Sequence, residues 1–383
     1  MRILIALTYY HPHKSGLTIY VKRLARALAA HRHKVTVLTS QYDRNLPQTE
    51  VLDGVRIIRL PVAFHVSKGV IMPGLPARAW QLIREADVVN LHVPQFDAMI
   101  MAVMARLLRK PVVLTYHCDL LLPKGVINHI ANIVSNLANR ISILLSKKVI
   151  TNTLDFARHS PYLNCSLKKV LESPPPIEMP LVSPGEVNAF RKKYNIQKDE
   201  HVIGMVARLA TEKGVEHLVA ALPYVLEEHP NARVMFVGQY QNVMGEEAYA
   251  AKLAPLIAEF HHHWTFLGII PDRELGAFYR ACSLIVFPSI NSTDSFGMVQ
   301  VEAMIYGTPV VASDMPGIRQ PVLLTGMGKI FPPRDSIALA KAINELLENP
   351  IKLSPLAKKE LARFAPAQVA ARYEAVFKEF RRK

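Results

Sequence analysis

Runs of apolar, often β-branched residues alternate along the chain with segments in which apolar residues recur every three or four positions. The runs predict strands, and the helical periodicity predicts helices between them. In the first half the predicted strands are Arg2–Thr8, Lys34–Thr39, Val55–Leu60, Val88–His92, Pro111–His117 and Lys148–Thr153. The predicted helices follow Gly16 and cover Pro76–Glu85, Phe96–Leu108 and Val126–Leu145. Nearly continuous apolar strands separated by helices are typical of a parallel sheet covered on both faces.

The alternation stops at a proline-rich segment and then starts again. Residues 173–184 hold five prolines without periodicity, which predicts a linker. Beyond it the predicted strands are His201–Ala207, Ala232–Gly238, Trp264–Gly268, Leu284–Ser289 and Pro309–Ser313. The predicted helices are Gly214–Glu228, Glu246–Phe260, Asp272–Cys282, Phe296–Tyr306, Ser336–Leu347, Leu356–Phe364 and Pro366–Arg382.

A chain of 383 residues is too long for one typical core. We therefore expect two doubly wound α/β domains, over residues 1–175 and 186–365. Ligands bind such sheets at the carboxyl ends of the strands, so the predicted site is a cleft between the two domains.

Composition excludes several classes of protein. The three cysteines, Cys118, Cys165 and Cys282, form no CxxC pair, which argues against a disulfide framework and a structural zinc site. Reduced thiols predict a cytoplasmic protein. The apolar run at the N-terminus is too short for a signal peptide, and residues 126–145 are too polar to span a bilayer.

Positive charge is concentrated in the first half of the chain. Residues 1–180 hold 23 Lys and Arg against 10 Asp and Glu, a net charge of +13, whereas residues 181–383 hold 23 against 21, a net charge of +2. A basic half indicates an anionic partner, either nucleic acid, anionic lipid or a phosphorylated substrate, and solubility is the competing interpretation. Nucleic acid is disfavoured because no aromatics are interleaved with the basic residues and no helix-turn-helix or RRM signature is present.

The segment 126–145 has an apolar stripe formed by Ile127, Ile130, Val134, Leu137, Ile141 and Leu144. Basic residues stand at or near its ends: Lys124, Arg140, Lys147 and Lys148. A basic amphipathic helix of this kind can lie on an anionic membrane. The competing interpretation, which we favour for the stripe itself, is a helix packed in the core of the first domain.

The segment 291–313 follows a predicted buried strand and opens a helix. Backbone N–H groups of Ser295, Phe296 and Gly297 at that helix N-terminus would form an anion site. Carboxylates of Asp294 and Glu302 would flank a phosphate there and accept hydrogen bonds from vicinal hydroxyls of a ribose or sugar. The alternative makes Asp294 a helix N-cap and Glu302 a surface residue.

Arg208 and Lys213 lie in another loop after a predicted strand, where two cations suit a diphosphate. The alternative is two exposed loop charges. His117 ends a strand where an active-site residue would sit, although a lone histidine there is more often structural.

The turn at 11–18 contains Gly16 but neither GxGxxG nor GxxxxGK[ST], which disfavours a dinucleotide dehydrogenase and a P-loop NTPase. Residues 261–263, three adjacent histidines, predict a surface loop rather than a metal site, because adjacent side chains point apart.

Together these residues resemble the family 4 glycosyltransferases of GT-B fold, over essentially the whole chain. The specific parts are Arg208 with Lys213-Gly214, Asp294-Ser-Phe-Gly, Glu302-Ala-Met and Gly307-Thr-Pro-Val-Val. The resemblance implies two Rossmann-like domains. It also implies that Arg208 and Lys213 bind the donor diphosphate, that Glu302 binds the nucleotide ribose and that His117 is the active-site histidine. Asp294 stands where the family usually has glutamate, and Gly16 is the one glycine kept in the first loop.

The resemblance further implies retaining transfer of a hexose from a nucleotide-diphosphate sugar to an acceptor hydroxyl, with no metal and no other cofactor. It implies that the C-terminal helix, 366–383, packs on the first domain, which binds the acceptor. Because that domain is basic, we expect a membrane lipid or a lipid-linked or phosphorylated acceptor. Peripheral association with the cytoplasmic face of an anionic membrane is the accompanying hypothesis.

Three alternatives remain open at this point. The first is a GT-B relative that acts on soluble nucleotide sugars or sugar acceptors, such as an epimerase or a disaccharide synthase. The others are a nucleic-acid-binding protein and an inactive donor-binding subunit.

Overall fold

The computed structural model describes residues 1–66, 69–95, 97–120 and 126–380. The chain divides into two compact units, Met1–Ile177 together with Arg363–Lys383, and Glu178–Ala362. Each unit has its own buried apolar core.

The first unit contains an eight-stranded sheet and a two-stranded ribbon. Its strands are β1 (Arg2–Ala6), β2 (Lys34–Gln41), β3 (Thr49–Leu52), β4 (Val55–Pro61), β5 (Phe64–Val66), β6 (Gly69–Ile71), β7 (Val88–Val93), β8 (Val112–Tyr116), β9 (Lys148–Thr151) and β10 (Val170–Glu172). Its helices are α1 (Gly16–Ala30), α2 (Leu75–Glu85), α3 (Ala98–Leu107), α4 (Val126–Leu145) and α5 (Leu154–His159).

The large sheet has the strand order β10-β9-β8-β7-β1-β2-β4-β3, and β3 is the antiparallel strand in it. Strands β7 and β8 are buried along their whole length, which explains their nearly uninterrupted apolar sequence. The chain winds outward from β1 in one direction through β2 and in the other through β7. The topological switch point, where such sheets bind ligands, therefore lies between β1 and β7.

The second unit is a six-stranded parallel sheet with helices between its strands. Its strands are β11 (His201–Val206), β12 (Ala232–Val237), β13 (Trp264–Gly268), β14 (Leu284–Phe287), β15 (Val310–Ser313) and β16 (Gly328–Phe331). Its helices are α6 (Pro184–Lys193), α7 (Val215–Glu228), α8 (Glu247–Ala258), α9 (Asp272–Ala281), α10 (Met298–Ile305), α11 (Gln320–Thr325), α12 (Ser336–Glu348) and α13 (Pro355–Leu361). The strand order β13-β12-β11-β14-β15-β16 puts the switch point between β11 and β14.

A last helix, α14 (Pro366–Lys378), belongs to the first unit and packs on α1. The Tyr373 hydroxyl lies 2.7 Å from the Tyr20 hydroxyl of α1, and both side chains are buried. The predicted C-terminal helix is therefore present and packs as expected, although it ends at Lys378 rather than Arg382, which lies outside the described residues.

The doubly wound α/β architecture is confirmed, and the differences are local. Eight elements were not predicted: the strands β3, β5, β6, β10 and β16 and the helices α5, α6 and α11. Helix α6 begins directly in the proline-rich segment: Ser183 Oγ accepts from Glu186 N (3.3 Å) and Glu186 Oε2 accepts from Ser183 N (2.8 Å). This capping box was visible in the sequence as Ser followed three residues later by Glu. Phe96, the predicted start of α3, lies outside the described residues.

Helix α4 corrects our expectation that its apolar stripe packs in the core. Val134, Leu137 and Leu144 are 53%, 58% and 72% exposed. The opposite face is buried and carries mostly small or polar side chains, namely Ser135, Ala138, Asn139 and Ser142, together with the apolar Ile143. Small residues let α4 approach α3 and β8 closely, and the apolar face is left in solvent. The side chains of Ile127 and Ile130, and Lys124 as a whole, lie outside the described part.

Candidate active site

The loops that follow β11 and β14 are hydrogen-bonded and closely packed against each other at the switch point of the second unit. Ile290 N donates to Glu212 O at 3.1 Å. Gly214 has φ +62°, and a Cβ on it would lie 2.2 Å from the Pro288 carbonyl oxygen. Only glycine fits this close approach, so the Lys213-Gly214 pair is explained by packing as well as by chemistry.

Lys213 is held between these loops by two side chains. Its Nζ lies 2.6 Å from Asp294 Oδ1 and 2.8 Å from Asp294 Oδ2, and 5.8 Å from the centre of the Phe287 ring. Asp294 also accepts a hydrogen bond from the Ser289 hydroxyl. Both charged side chains are largely buried, which excludes the interpretation of Lys213 as an exposed loop charge. Phe287 and Ser289 are site residues that sequence reasoning missed.

Arg208 occupies a more open position in the same loop. Its guanidinium lies 3.0 Å from Glu212 Oε1, four residues further on, and the side chain is 44% exposed. The structure therefore brings Arg208, Lys213 and Asp294 to one edge of the sheet, with each cation paired to a carboxylate.

Gly297 is the N-cap of α10 and has φ +78°. A Cβ on it would lie 2.7 Å from ring atoms of Phe287 and 2.8 Å from Gln300 Nε2, so the same ring contacts both Lys213 and Gly297. The side chains of Ser295 and Phe296 are buried. Asp294 is not the cap of this helix, because its carboxylate binds Lys213 instead, and α10 begins two residues later than predicted.

Glu302 is buried in α10, so its interpretation as a surface residue is wrong. Its Oε2 accepts from the Tyr279 hydroxyl at 3.2 Å, and the Tyr279 carbonyl accepts from Thr308 Oγ1 at 2.7 Å. A buried carboxylate with this support is oriented for recognising hydroxyl groups. Tyr279 was not predicted, because it lies 23 residues away on another helix.

In the first unit, His117 directly follows β8 and is buried. Its Nε2 lies 2.9 Å from His92 Nδ1, and the ring stacks on His92 with centroids 5.1 Å apart. Burial lowers the pKa of His117 to about 3 and the pKa of His92 well below its usual range. Both imidazoles are therefore neutral at physiological pH.

Gly16 is the exposed first residue of α1, capped by the Ser15 hydroxyl, which accepts from Thr18 N at 3.2 Å. The turn before it carries an aromatic cluster that sequence reasoning missed. His13 stacks on Tyr9 at 4.8 Å, and Tyr42 meets both rings edge-on. Asp119, the other polar residue after β8, is buried and accepts from Tyr116 OH and Ser160 Oγ, which is a structural role.

One group of side chains in the described residues could share a metal ion: Glu228, His229 and Glu348. These residues end α7 and α12, and β12 begins a few residues after His229. They therefore lie at the amino edge of the second sheet and not beside Lys213. None of the described helices combines the length and apolar character that crossing a bilayer requires.

Two Rossmann-like units, each built on a doubly wound α/β sheet, are the architecture of the GT-B fold. Residues 15–163 match the glycosyl transferase 4-like domain, and residues 186–363 match glycosyl transferases group 1. The chain belongs to the family 4 GT-B glycosyltransferases.

Its relatives agree over nearly the whole length. An uncharacterised glycosyltransferase of Methanocaldococcus jannaschii is 25% identical over 91% of this chain and 90% of that protein. A phosphatidyl-myo-inositol mannosyltransferase of Mycobacterium leprae is 27% identical over 92% of this chain and 88% of that protein. The crystal structure of the Anabaena protein HepE in complex with UDP has the same fold, with a TM-score of 0.76, 22% identity and coverage of 99% of this chain and 100% of that one.

Proposed function

We propose that this glycosyltransferase moves a hexose from a nucleoside-diphosphate sugar to an acceptor hydroxyl with retention of configuration and without a metal. The observation that carries the proposal is the Lys213–Asp294 pair at the switch point of the second unit. HepE, which shares the fold, binds UDP and UDP-glucose in its crystal structures, which supports a nucleotide-sugar donor.

Lys213 and Arg208 would neutralise the departing diphosphate. Diphosphate oxygens compete with Asp294 and Glu212 for these cations, so donor binding exchanges one anionic partner for another. A cation already oriented by Asp294 and Phe287 costs little reorganisation in the transition state. The backbone of Gly297 can approach a phosphate closely because no side chain intervenes, and Glu302 would accept the ribose hydroxyls.

The reaction requires the C1–O bond to the diphosphate to break while the acceptor oxygen bonds to C1 on the same face. The acceptor proton leaves with a phosphate oxygen, so the step balances without a redox partner or metal. His117 would accept a hydrogen bond from a hydroxyl of the transferred sugar and orient its reacting carbon. The neutral state of His117 fits an accepting role rather than that of a cationic acid.

The donor assignment is tested by replacing the lysine. Lys213→Met should lower kcat/KM for the nucleotide sugar about 100-fold or more, since one stabilising donor in a preorganised site is worth that much. Lys192→Met, an exposed lysine on α6, should leave it unchanged. The donor is first chosen by the thermal stabilisation that UDP, GDP and ADP sugars give, because a bound ligand raises Tm by mass action.

Product analysis decides the remaining features. NMR of the product should show the anomeric configuration of the donor, and activity should persist in EDTA. An inverted anomer, or loss of activity in EDTA that Mg²⁺ or Mn²⁺ restores, would contradict the proposal. An epimer formed from donor alone would favour the epimerase alternative. If Lys213→Met and Lys192→Met behave alike, the placement of the diphosphate is wrong.

We also propose that the acceptor is a membrane lipid or a lipid-linked or phosphorylated molecule, reached by peripheral association with the cytoplasmic face of an anionic membrane. The support is a surface on three neighbouring helices, α2, α3 and α4, in which α3 packs against the other two. Its exposed apolar side chains, called here the three-helix apolar face, are Trp80, Ile100, Val103, Leu107, Ile133, Val134, Leu137 and Leu144.

Basic side chains accompany this face, which matches it to anionic headgroups. Arg84, Arg106, Arg109, Arg140 and Lys147 are exposed on the same helices or directly after them. Three described acidic residues lie there: Glu85 is exposed at the end of α2, Asp97 is buried, and Asp87 pairs with Arg2 at 2.6 Å. Apolar insertion and headgroup attraction act together on such a surface.

Vesicle sedimentation tests the association. The protein should sediment with vesicles that contain phosphatidylglycerol, should remain in the supernatant with phosphatidylcholine alone, and should be released by salt. Equal binding to both kinds of vesicle, or binding to neither, would reject the hypothesis.

A further inference from the structure

A continuous row of buried polar side chains runs through the first unit from His117 to the C-terminal helix. It joins strands β7 and β8 to helices α1 and α14. Its members, called here the buried histidine chain, are His117, His92, Asn90, Thr115, Tyr373 and Tyr20.

The proton positions in this row follow from one backbone carbonyl. Asn90 Nδ2 lies 3.0 Å from Val113 O, and a carbonyl can only accept, so that atom must be the amide nitrogen. The same nitrogen donates to Thr115 Oγ1 at 3.0 Å. The other amide atom, Asn90 Oδ1, is therefore an acceptor, and it faces His92 Nε2 at 2.9 Å.

It follows that His92 carries its proton on Nε2. A neutral imidazole has one N–H, so His92 Nδ1 is bare and accepts. The atom 2.9 Å from it is His117 Nε2, which must therefore be the donor. His117 is in turn neutral, so its proton is on Nε2 and its Nδ1 is the accepting nitrogen.

Burial keeps the side chains of this row uncharged, so each imidazole carries one proton and the position of that proton is determined. Desolvation lowers the pKa of both histidines and raises the pKa of Tyr20 and Tyr373. The Tyr20 ring meets His117 edge-on with centroids 4.8 Å apart, and its hydroxyl bonds the Tyr373 hydroxyl. Tyr373 OH lies 3.1 Å from Thr115 Oγ1, which anchors the far end of the row on α14.

We propose that Asn90 and His92 are positioning residues that hold His117 in the tautomer protonated on Nε2, so that Nδ1 is the atom that accepts a hydrogen bond from the sugar. The proposal rests on the role of His117 in the proposed function. A histidine suits position 92 because a neutral imidazole has one N–H and one bare nitrogen. When one nitrogen donates to Asn90, the other must accept from His117. A lone histidine at the end of β8 could adopt either tautomer.

Two substitutions of His92 test the proposal. His92→Leu removes the acceptor for His117 Nε2, whereas the amide of His92→Gln can donate to Asn90 and accept from His117. The expected kcat for sugar transfer falls about tenfold or more in His92→Leu. The affinity for the nucleoside diphosphate alone should stay unchanged, because the proposed diphosphate ligands Arg208 and Lys213 belong to the other unit. His92→Gln should recover most of the lost kcat. His229→Leu, in the second unit, is the matched control.

A spectroscopic readout separates positioning from mere stability. The ¹⁵N chemical shifts of histidine ring nitrogens distinguish a protonated from a bare atom, and the His117 signals are assigned by their loss in His117→Gln. The native protein should show protonated Nε2 and bare Nδ1 at His117, and His92→Leu should give a mixture of tautomers.

The proposal is overturned by a bare Nε2 at His117 in the native protein. It is equally overturned by unchanged kcat in His92→Leu, or by a loss of kcat that leaves the His117 shifts as they were. If no donor supports sugar transfer at all, the proposed function fails, and the ¹⁵N shifts still decide whether Asn90 and His92 set the tautomer.

Discussion

At the scale of single residues, the candidate donor site depends on a few close approaches. The centre of the Phe287 ring lies 5.8 Å from Lys213 Nζ. The same ring leaves no room for a Cβ at Gly297. Asp294, one methylene shorter than the glutamate usual in the family, is already bound by Lys213 and Ser289. Asp294 therefore orients the ammonium group of Lys213 in this structure.

Gly297→Ala is expected to lower both stability and donor affinity. The left-handed φ strains any side chain, and the new Cβ would also collide with the Phe287 ring. Urea denaturation should show a loss of about 2–3 kcal/mol, from about 1 kcal/mol of strain plus overpacking. Gly307→Ala is the matched control, because its φ is +87° but nothing lies within 4 Å of the added atom. Equal losses in the two variants would contradict the role of Phe287.

The sequence predicted the residues of this site better than their partners. Lys213 and Asp294 were predicted because they lie in loops that follow strands, and Glu302 because it lies inside the helix that begins after Asp294. Their mutual contacts were not predictable, because Lys213 and Asp294 are 81 positions apart and Tyr279 reaches Glu302 from another helix. Such pairs depend on the strand order, which local periodicity does not encode.

At the scale of elements, α4 shows what helical periodicity leaves undetermined. The pattern correctly located the helix and its apolar stripe, but a period says only that one face differs from the other. The face of α4 that packs inward carries Ser135, Ala138 and Ser142, whose small size permits close packing. We expected the apolar stripe of α4 to pack in the core because it is the more hydrophobic face. The contact with α3 and β8 instead depends on side chains of small volume.

Leu137→Glu should therefore abolish sedimentation with anionic vesicles without unfolding the protein. Leu137 is 58% exposed, so the change removes no core contact, and a carboxylate opposes both apolar insertion and anionic headgroups. Circular dichroism and Tm should stay within experimental error of the native values. Ile337→Glu, on an equally exposed position of α12, should still sediment. Retained binding by Leu137→Glu would exclude α4 from the contact.

At the scale of the whole molecule, buried histidines couple folding to pH. The pKa of His92 and of His117 is lowered by burial, so the folded state stays neutral below pH 6.5 while the unfolded chain takes up protons. The free energy of unfolding therefore falls as the pH drops from about 6.5, by at most about 1.4 kcal/mol per pH unit for each histidine. Burial also lowers the pKa of four partly buried histidines, so they too make the free energy of unfolding fall at low pH. They are His11, His33, His201 and His217.

Urea unfolding at pH 7 and pH 5 measures this dependence. His92→Gln removes one of the buried histidines and should reduce the difference between the two pH values by about 1–2 kcal/mol, as expected for one group over this range. His262→Gln, at an exposed position, should not change it. An unaltered pH dependence in His92→Gln would mean that this imidazole protonates without unfolding.

The position of α14 has a consequence for how the protein is made. The first unit is built from residues 1–177 and 363–383, so a ribosome must synthesise the entire second unit before Tyr373 emerges to complete the first. Until then the nascent chain leaves the α1 surface around Tyr20 uncovered while the second unit is already able to fold. Premature termination near residue 362 would therefore release a chain whose later-made unit is finished and whose earlier-made unit lacks the helix that covers Tyr20.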